Sequence, residues 1–160
     1  MISFDADAHR FNLRAAAVVL NGSQVLLHRL DGDAFWSFPG GRVDGGELAS
    51  AAVVREMAEE IGESVVCGEL LWVVENFFTY RGVGHHELGL YFRVTLPPDS
   101  RLLSALGPYM GVEGDAQLTF AWFERAALGG IDVRPSFVPM ALAGPDIGFR
   151  HIVHRDEDAA

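Results

Sequence analysis

Two apolar runs, residues 11–20 and 25–30, stand on either side of Asn21-Gly22-Ser23. Aliphatic and β-branched side chains suit strands, and Asn-Gly accepts the positive φ angles of a tight turn, so this pattern predicts a hairpin. Asp31-Gly32-Asp33 interrupts it as a loop, and Trp36-Ser37-Phe38-Pro39 reads as a short strand running into Gly40-Gly41. Over residues 47–61 the apolar spacing turns helical, with Gly62 placed to end the helix. Strands return at residues 64–66 and 70–80, then after a turn at 81–84 at residues 85–96, where Pro97-Pro98-Asp99-Ser100 stops the run. Residues 117–123 read as another strand, 124–128 as a helical turn, 135–142 as a second helix, and the tail from Asp156 as frayed. The pattern is mixed α and β, one domain over residues 1–160, with a curved sheet flanked by two helices.

Charge narrows the partners. The net charge is −10, and all 12 basic residues are Arg. A chain with no basic run lacks the positive footprint that a nucleic acid polymer needs, while small phosphorylated ligands stay open to it. The absence of Lys argues against a P-loop and against Schiff-base chemistry. Cys67 is the only cysteine, so neither an intrachain disulfide nor a cysteine-based zinc site is available; it reads as a buried thiol. Residues 1–7 carry no basic start and no apolar run of leader type, and no stretch is long enough to span a bilayer. A cytoplasmic protein without membrane attachment is expected.

The helix carries the chemistry. At about 100° per residue, Ala51, Val54, Ala58 and Ile61 share one side, expected to pack on the sheet. Glu56, Glu59 and Glu60 share the other. Like charges at these spacings cost about 0.2–0.5 kcal/mol each, and acids near a helix C-terminus oppose the dipole by about 0.3–1 kcal/mol apiece. Arg55 is the sole base on the helix. A hard divalent cation removes the conflict, because magnesium favours carboxylate oxygens, water and substrate phosphate.

The stretch from Gly41 to Gly62 resembles the signature box of the Nudix hydrolases. Gly41, Glu47, Arg55, Glu56, Glu59, Glu60 and Gly62 match it in register, as does apolar Met57; Glu63 departs, standing where the family has an aliphatic residue. Val25-Leu26-Leu27-His28-Arg29 and Trp36-Ser37-Phe38-Pro39-Gly40-Gly41 are similar to the family's lead-in, and residues 86–92 to a strand of many members. The resemblance implies an α/β/α sandwich with a curved mixed sheet between helices. It also implies hydrolysis of a diphosphate bond in a nucleoside diphosphate linked to another moiety. By it, Glu56, Glu59 and Glu60 ligate Mg2+ or Mn2+, Arg55 orients a catalytic carboxylate, and Glu47 supports the preceding loop. A nucleotide-sensing module without catalysis is the second reading, but such modules usually lose box acids and here the acids are complete. Many relatives pair, which leaves a homodimer open.

Outside the box, alternation in residues 85–92 puts His85, Glu87 and Tyr91 on one face and His86, Leu88, Leu90 and Phe92 on the other. Glu87 is the candidate for the extra carboxylate, base or ligand, that some relatives carry. His85, His86, His151 and His154 read as structural or surface residues. Arg14 and Arg29, in the hairpin, are candidates for substrate phosphate or base. Phe35, Trp36, Phe77 and Tyr80 are candidates for a stacking platform, with Phe35 and Tyr80 foremost. Tyr80 falls where relatives acting on diadenosine polyphosphates often have a Tyr; the marks of ADP-ribose and NADH pyrophosphatases are absent.

Overall fold

The run Ala15-Ala16-Ala17-Val18-Val19 has no polar member, and the strand that carries it, β2 (His9–Asn21), is buried on both faces. Around it the computed structural model describes residues 1–156. Before β2 comes β1 (Ser3–Ala6), and after it β3 (Gln24–Leu30), β4 (Gly40–Arg42) and α1 (Ala49–Ile61). The long strands β5 (Val66–Tyr80) and β6 (Val83–Thr95) follow, then a short α2 (Arg101–Ser104), β7 (Tyr109–Glu113) and β8 (Ala116–Glu124). A 3-10 segment (Arg125–Gly130), α3 (Val138–Ala141) and β9 (Arg150–Arg155) complete the order. No helix among the described residues is long and apolar enough to cross a membrane.

The strands run β7-β8-β3-β2-β6-β5-β9 across the sheet, with β1 and β4 also paired to β2. The β2–β6 and β5–β9 pairs are parallel and the others antiparallel, so the sheet is mixed, as expected. The hairpin forms but opens at once. β2 and β3 are paired only at Leu20↔Val25 and Asn21↔Gln24; then β4 takes the neighbouring place on β2, and β3 pairs along its length with β8. Gly40 makes the β4 contact possible: a Cβ there would strike the Ala15 carbonyl oxygen, and its φ of 150° disfavours other residues. Two cores result. Ala15, Ala17, Leu26, Val53 and Met57 pack between sheet and α1, while Ala16, Val18, Leu27, Phe38 and Trp72 pack on the opposite face beneath the 3-10 segment and α3.

Several expectations need correction. α1 begins at Ala49, leaving Glu47 in the loop before it. Its buried residues are Ala52, Val53, Met57, Glu60 and Ile61, whereas Ala51 and Ala58 are exposed. The strand expected at 64–66 starts only at Val66 and runs through two irregularities into the next. Residues 36–39 make only isolated bridges, Trp36↔Val133 and His28↔Ser37, and the second helix shrinks to one turn. β1, β7, β9 and α2 lie where no element was expected. Asp156 is held, its N–H donating to Phe77 O at 2.8 Å; residues 157–160 of the supposedly frayed tail lie outside the described residues. Glu63, in the aliphatic position, is buried beside the helix end, its N–H reaching Met57 O at 3.4 Å.

Candidate active site

Arg55 organises the acidic helix. Its Nε and Nη2 donate to the two carboxylate oxygens of Glu47 at 2.8 and 2.9 Å, a bidentate pair across the helix start. Nη1 donates to Glu56 at 2.8 Å and to Glu59 at 3.4 Å, and Nη2 also reaches Arg42 O at 3.1 Å. Glu47 in turn accepts the Asp44 N–H at 3.0 Å, tying down the loop. The Arg55 hydrogen bonds pull the Glu47 pKa down to about 2 and raise that of Arg55 itself. Gly41 stands against Glu56: a Cβ there would overlap its carboxylate. Gly62 ends the helix in the left-handed region at φ 72°, its N–H donating to Ala58 O at 3.0 Å, and no basic residue occupies the last turn.

The three acids sit at three depths. The Glu59 side chain is 60% exposed, Glu56 is half-buried, and Glu60 is 3% exposed. Neither Glu60 oxygen has a hydrogen-bond partner among the described residues, nor does the buried Nδ1 of His28, which lies 3.5 Å from Glu60 Oε2. Burial raises the Glu60 pKa to about 8 against the pull of Arg14 and of the neighbouring Gly40 N–H, which falls short of a formed hydrogen bond, and burial lowers that of His28 to about 3. Burial also raises Glu56, with Arg55 opposing. Among the described residues no three His, Cys, Asp or Glu side chains converge as a ready-made metal cage. Arg55 takes up oxygens of Glu56 and Glu59 instead.

Two adjoining clefts are lined by His28 on one side and by Glu56 and Glu59 on the other, with Glu60 behind both linings, and share Arg14, Phe78, Tyr80, Glu87 and Glu113. The smaller, 450 Å³, is walled by Arg55, Glu56, Glu59 and His85. The larger, 810 Å³, extends to His28, Phe35, Arg134 and Ser136. Arg14, reaching in from β2, donates to Phe38 O at 2.7 Å; against its desolvation, the charge of Glu87 helps hold its pKa raised. Glu87 is buried, which raises its pKa, opposed by Arg14 and by a hydrogen bond from Asn76. Register explains that bond: Glu87, Asn76 and His154 are direct neighbours across β6, β5 and β9. His154 Nδ1 meets Asn76 Oδ1 and its Nε2 meets Ser136 Oγ, both at 2.8 Å, so a polar rank crosses the floor of the cleft.

Phe35 and Tyr80 both line the larger cleft, edge to face at 6.1 Å, with Tyr80 Oη donating to Asp33 and Arg134 lying over the Phe35 ring at 4.5 Å. Arg29 does not join them. Its neighbours His28 and Leu30 face the cleft, so strand alternation turns Arg29 away, onto the Trp36 ring at 4.6 Å. Trp36 packs on Phe123, and Phe77 on His86 and Arg155, outside the cleft. His85 bonds Asn12 at 2.9 Å, and His151 pairs with Glu75 at 2.7 Å. Sequence reasoning passed over His28, Asn76, Glu113 and Arg134. His28 did carry a signal, a polar residue closing the buried run Val25-Leu26-Leu27; Glu113 had none, because β7 was not legible.

The model of the NUDIX domain family matches residues 10–135. The chain belongs to that family. It is 51% identical over 63 residues to a putative 8-oxo-dGTP diphosphatase of Bacillus subtilis, covering 39% of this chain and 42% of that protein. Over 76 residues it is 34% identical to the RNA pyrophosphohydrolase of Pseudoalteromonas atlantica, covering 47% and 44% respectively. The chain thus spans less than half the length of these curated relatives. The NUDIX hydrolase of Nitrosomonas europaea superposes on it with a TM-score of 0.65 at 16% identity, over 91% of this chain and 79% of that one. That likeness supports the Nudix fold, an open mixed sheet with helices on its faces.

Proposed function

We propose that this Nudix domain hydrolyses a diphosphate bond in a nucleoside diphosphate linked to another moiety, giving a nucleoside monophosphate and a phosphorylated fragment. The observation that carries the reading is Glu60: a buried carboxylate with neither oxygen partnered, on the same helix as Glu56 and Glu59. A buried acid without partners is costly unless a cation satisfies it. All-oxygen donors fit a hard divalent ion, and Gly41 leaves the Glu56 carboxylate room beside the backbone. Glu56, Glu59 and Glu60 would therefore hold Mg2+ or Mn2+, which supplies charge neutralisation on the diphosphate oxygens and a more acidic water.

The chain's own groups do the rest. Arg55 fixes Glu56 and closes the loop through Glu47. Arg14 supplies a partly buried positive charge for phosphate, and Glu87, steadied by Asn76, accepts the proton of the attacking water. Phe35 and Tyr80 hold the base by stacking. The relatives' names, a diphosphatase and a pyrophosphohydrolase, point the same way. A free nucleotide in the cytoplasm fits this chain better than an RNA end, since the net charge of −10 offers no track for a polymer. The test is a panel of nucleoside triphosphates, ADP-ribose, nucleotide sugars, dinucleoside polyphosphates and 5′-triphosphorylated RNA, with Mg2+ or EDTA. Cleavage of a free nucleotide only with metal supports the proposal; binding without cleavage makes the domain a sensor, and preference for RNA moves the substrate.

A further inference from the structure

The contact between His28 and Glu60 has the character of an unfinished hydrogen bond. Nδ1 lies 3.5 Å from Glu60 Oε2, and neither atom has another partner among the described residues. Both side chains are more than nine-tenths buried. The His28 backbone is bonded both ways to Ser37, at 2.8 and 2.9 Å, and its ring packs edge to face with Phe120 at 5.3 Å. The Glu60 backbone is held close to β7, where a Cβ on Gly111 would strike the Glu60 carbonyl oxygen. A neutral imidazole has one N–H. Against the ionised carboxylate that a cation requires, a proton on Nδ1 makes the pair donor and acceptor, whereas a proton on Nε2 sets two lone pairs face to face in a dry site. His28 also lines the larger cleft.

We propose that His28 is a positioning residue for Glu60: its Nδ1–H holds Oε2 and leaves Oε1 for the divalent cation. Carboxylates that ligate metals are commonly oriented by such an outer hydrogen bond, whose loss typically costs about 10–100-fold in metal affinity. The inference rests on the reading that Glu60 binds the cation, so its test carries a control for that reading. Mn2+ alone is titrated into the substrate-free full chain and followed by the electron paramagnetic resonance of free Mn2+, with thermal melts to check folding. His28→Leu and His28→Phe should weaken Mn2+ by about 10–100-fold. His28→Asn, whose amide nitrogen takes the place of Nδ1, should restore binding, and His28→Gln, whose nitrogen takes the place of Nε2, should not.

Glu60→Gln separates the two claims. If it weakens Mn2+ while His28→Leu binds as wild type, the His28 role is overturned and the cation site stands. If neither change weakens Mn2+, the cation site itself falls. If His28→Asn binds as poorly as His28→Leu, the ring only fills space and the proposal is overturned. Should the Leu and Phe variants fail to fold, equal affinity of the Asn and Gln variants overturns it.

Discussion

Glu60→Gln in the metal-free protein should remove a loss of stability that wild type shows as pH rises. The Glu60 carboxyl has its pKa raised from 4.5 to about 8 by burial. The folded state therefore keeps a proton that the unfolded chain has released, so this contribution to stability is whole below pH 4.5 and is lost as pH rises through 8. His28 runs the other way. With its pKa lowered from 6.5 to about 3, its contribution is whole above pH 6.5 and is lost as pH falls toward 3. Between pH 6.5 and 8 the Glu60 effect therefore stands clear of His28. At about 1.4 kcal/mol per pH unit, that interval is worth about 2 kcal/mol, or about 4–8 °C in Tm for a domain of this size. Glu56 and Glu87, also raised by burial, add to the wild-type slope in the same direction. Melts of both proteins in EDTA at pH 6.5 and 8 measure it. Wild type should lose several degrees more than Glu60→Gln, and parallel behaviour would refute the burial argument.

Arg55→Lys should cut kcat by about 10–100-fold with KM little changed, because a point charge cannot span Glu47 and Glu56 together; steady-state kinetics with Mg2+ reads it. Gly41→Ala pushes a methyl into the Glu56 carboxylate and should cost about 1–3 kcal/mol in urea unfolding along with most activity. Phe35→Ala should raise KM about 10–100-fold by removing about 1–3 kcal/mol of stacking, whereas Arg29→Ala, off the cleft, should leave KM unchanged and lower stability by about 0.5–1 kcal/mol through Trp36. Equal KM effects of these two would contradict the assigned faces.

The elements with strong periodicity were legible in the sequence: the Asn-Gly hairpin, α1 with its Gly62 stop, and the long strands on either side of the turn at residues 81–84. The missed strands carry few inward apolar residues, Tyr109 in β7 and Ile152 in β9. β7 exposes Met110 and Val112, and β9 is an edge strand of mostly polar residues, so only pairing makes them strands. The helix was legible as an acidic helix, yet its buried side was misjudged. Ala51 and Ala58 score as apolar but are too small to decide an orientation, and packing of Val53 and Met57 rotates Glu60 into the core side. Register made the difference at Arg29, where one residue along a strand reverses the face and gives the cleft His28 instead. The Glu87-Asn76-His154-Ser136 rank depends on three strands brought side by side, which no local pattern encodes.

The most direct measurement compares nucleotide cleavage as a function of Mg2+ concentration in wild type and in Glu60→Gln, both shown folded by their melts. Wild type should be inactive in EDTA and gain activity with Mg2+, releasing a nucleoside monophosphate, while Glu60→Gln stays at least 100-fold below it at saturating metal, on the order of 3 kcal/mol. Wild-type activity in EDTA, or near-normal turnover by Glu60→Gln, would contradict a cation-dependent hydrolase built on this helix.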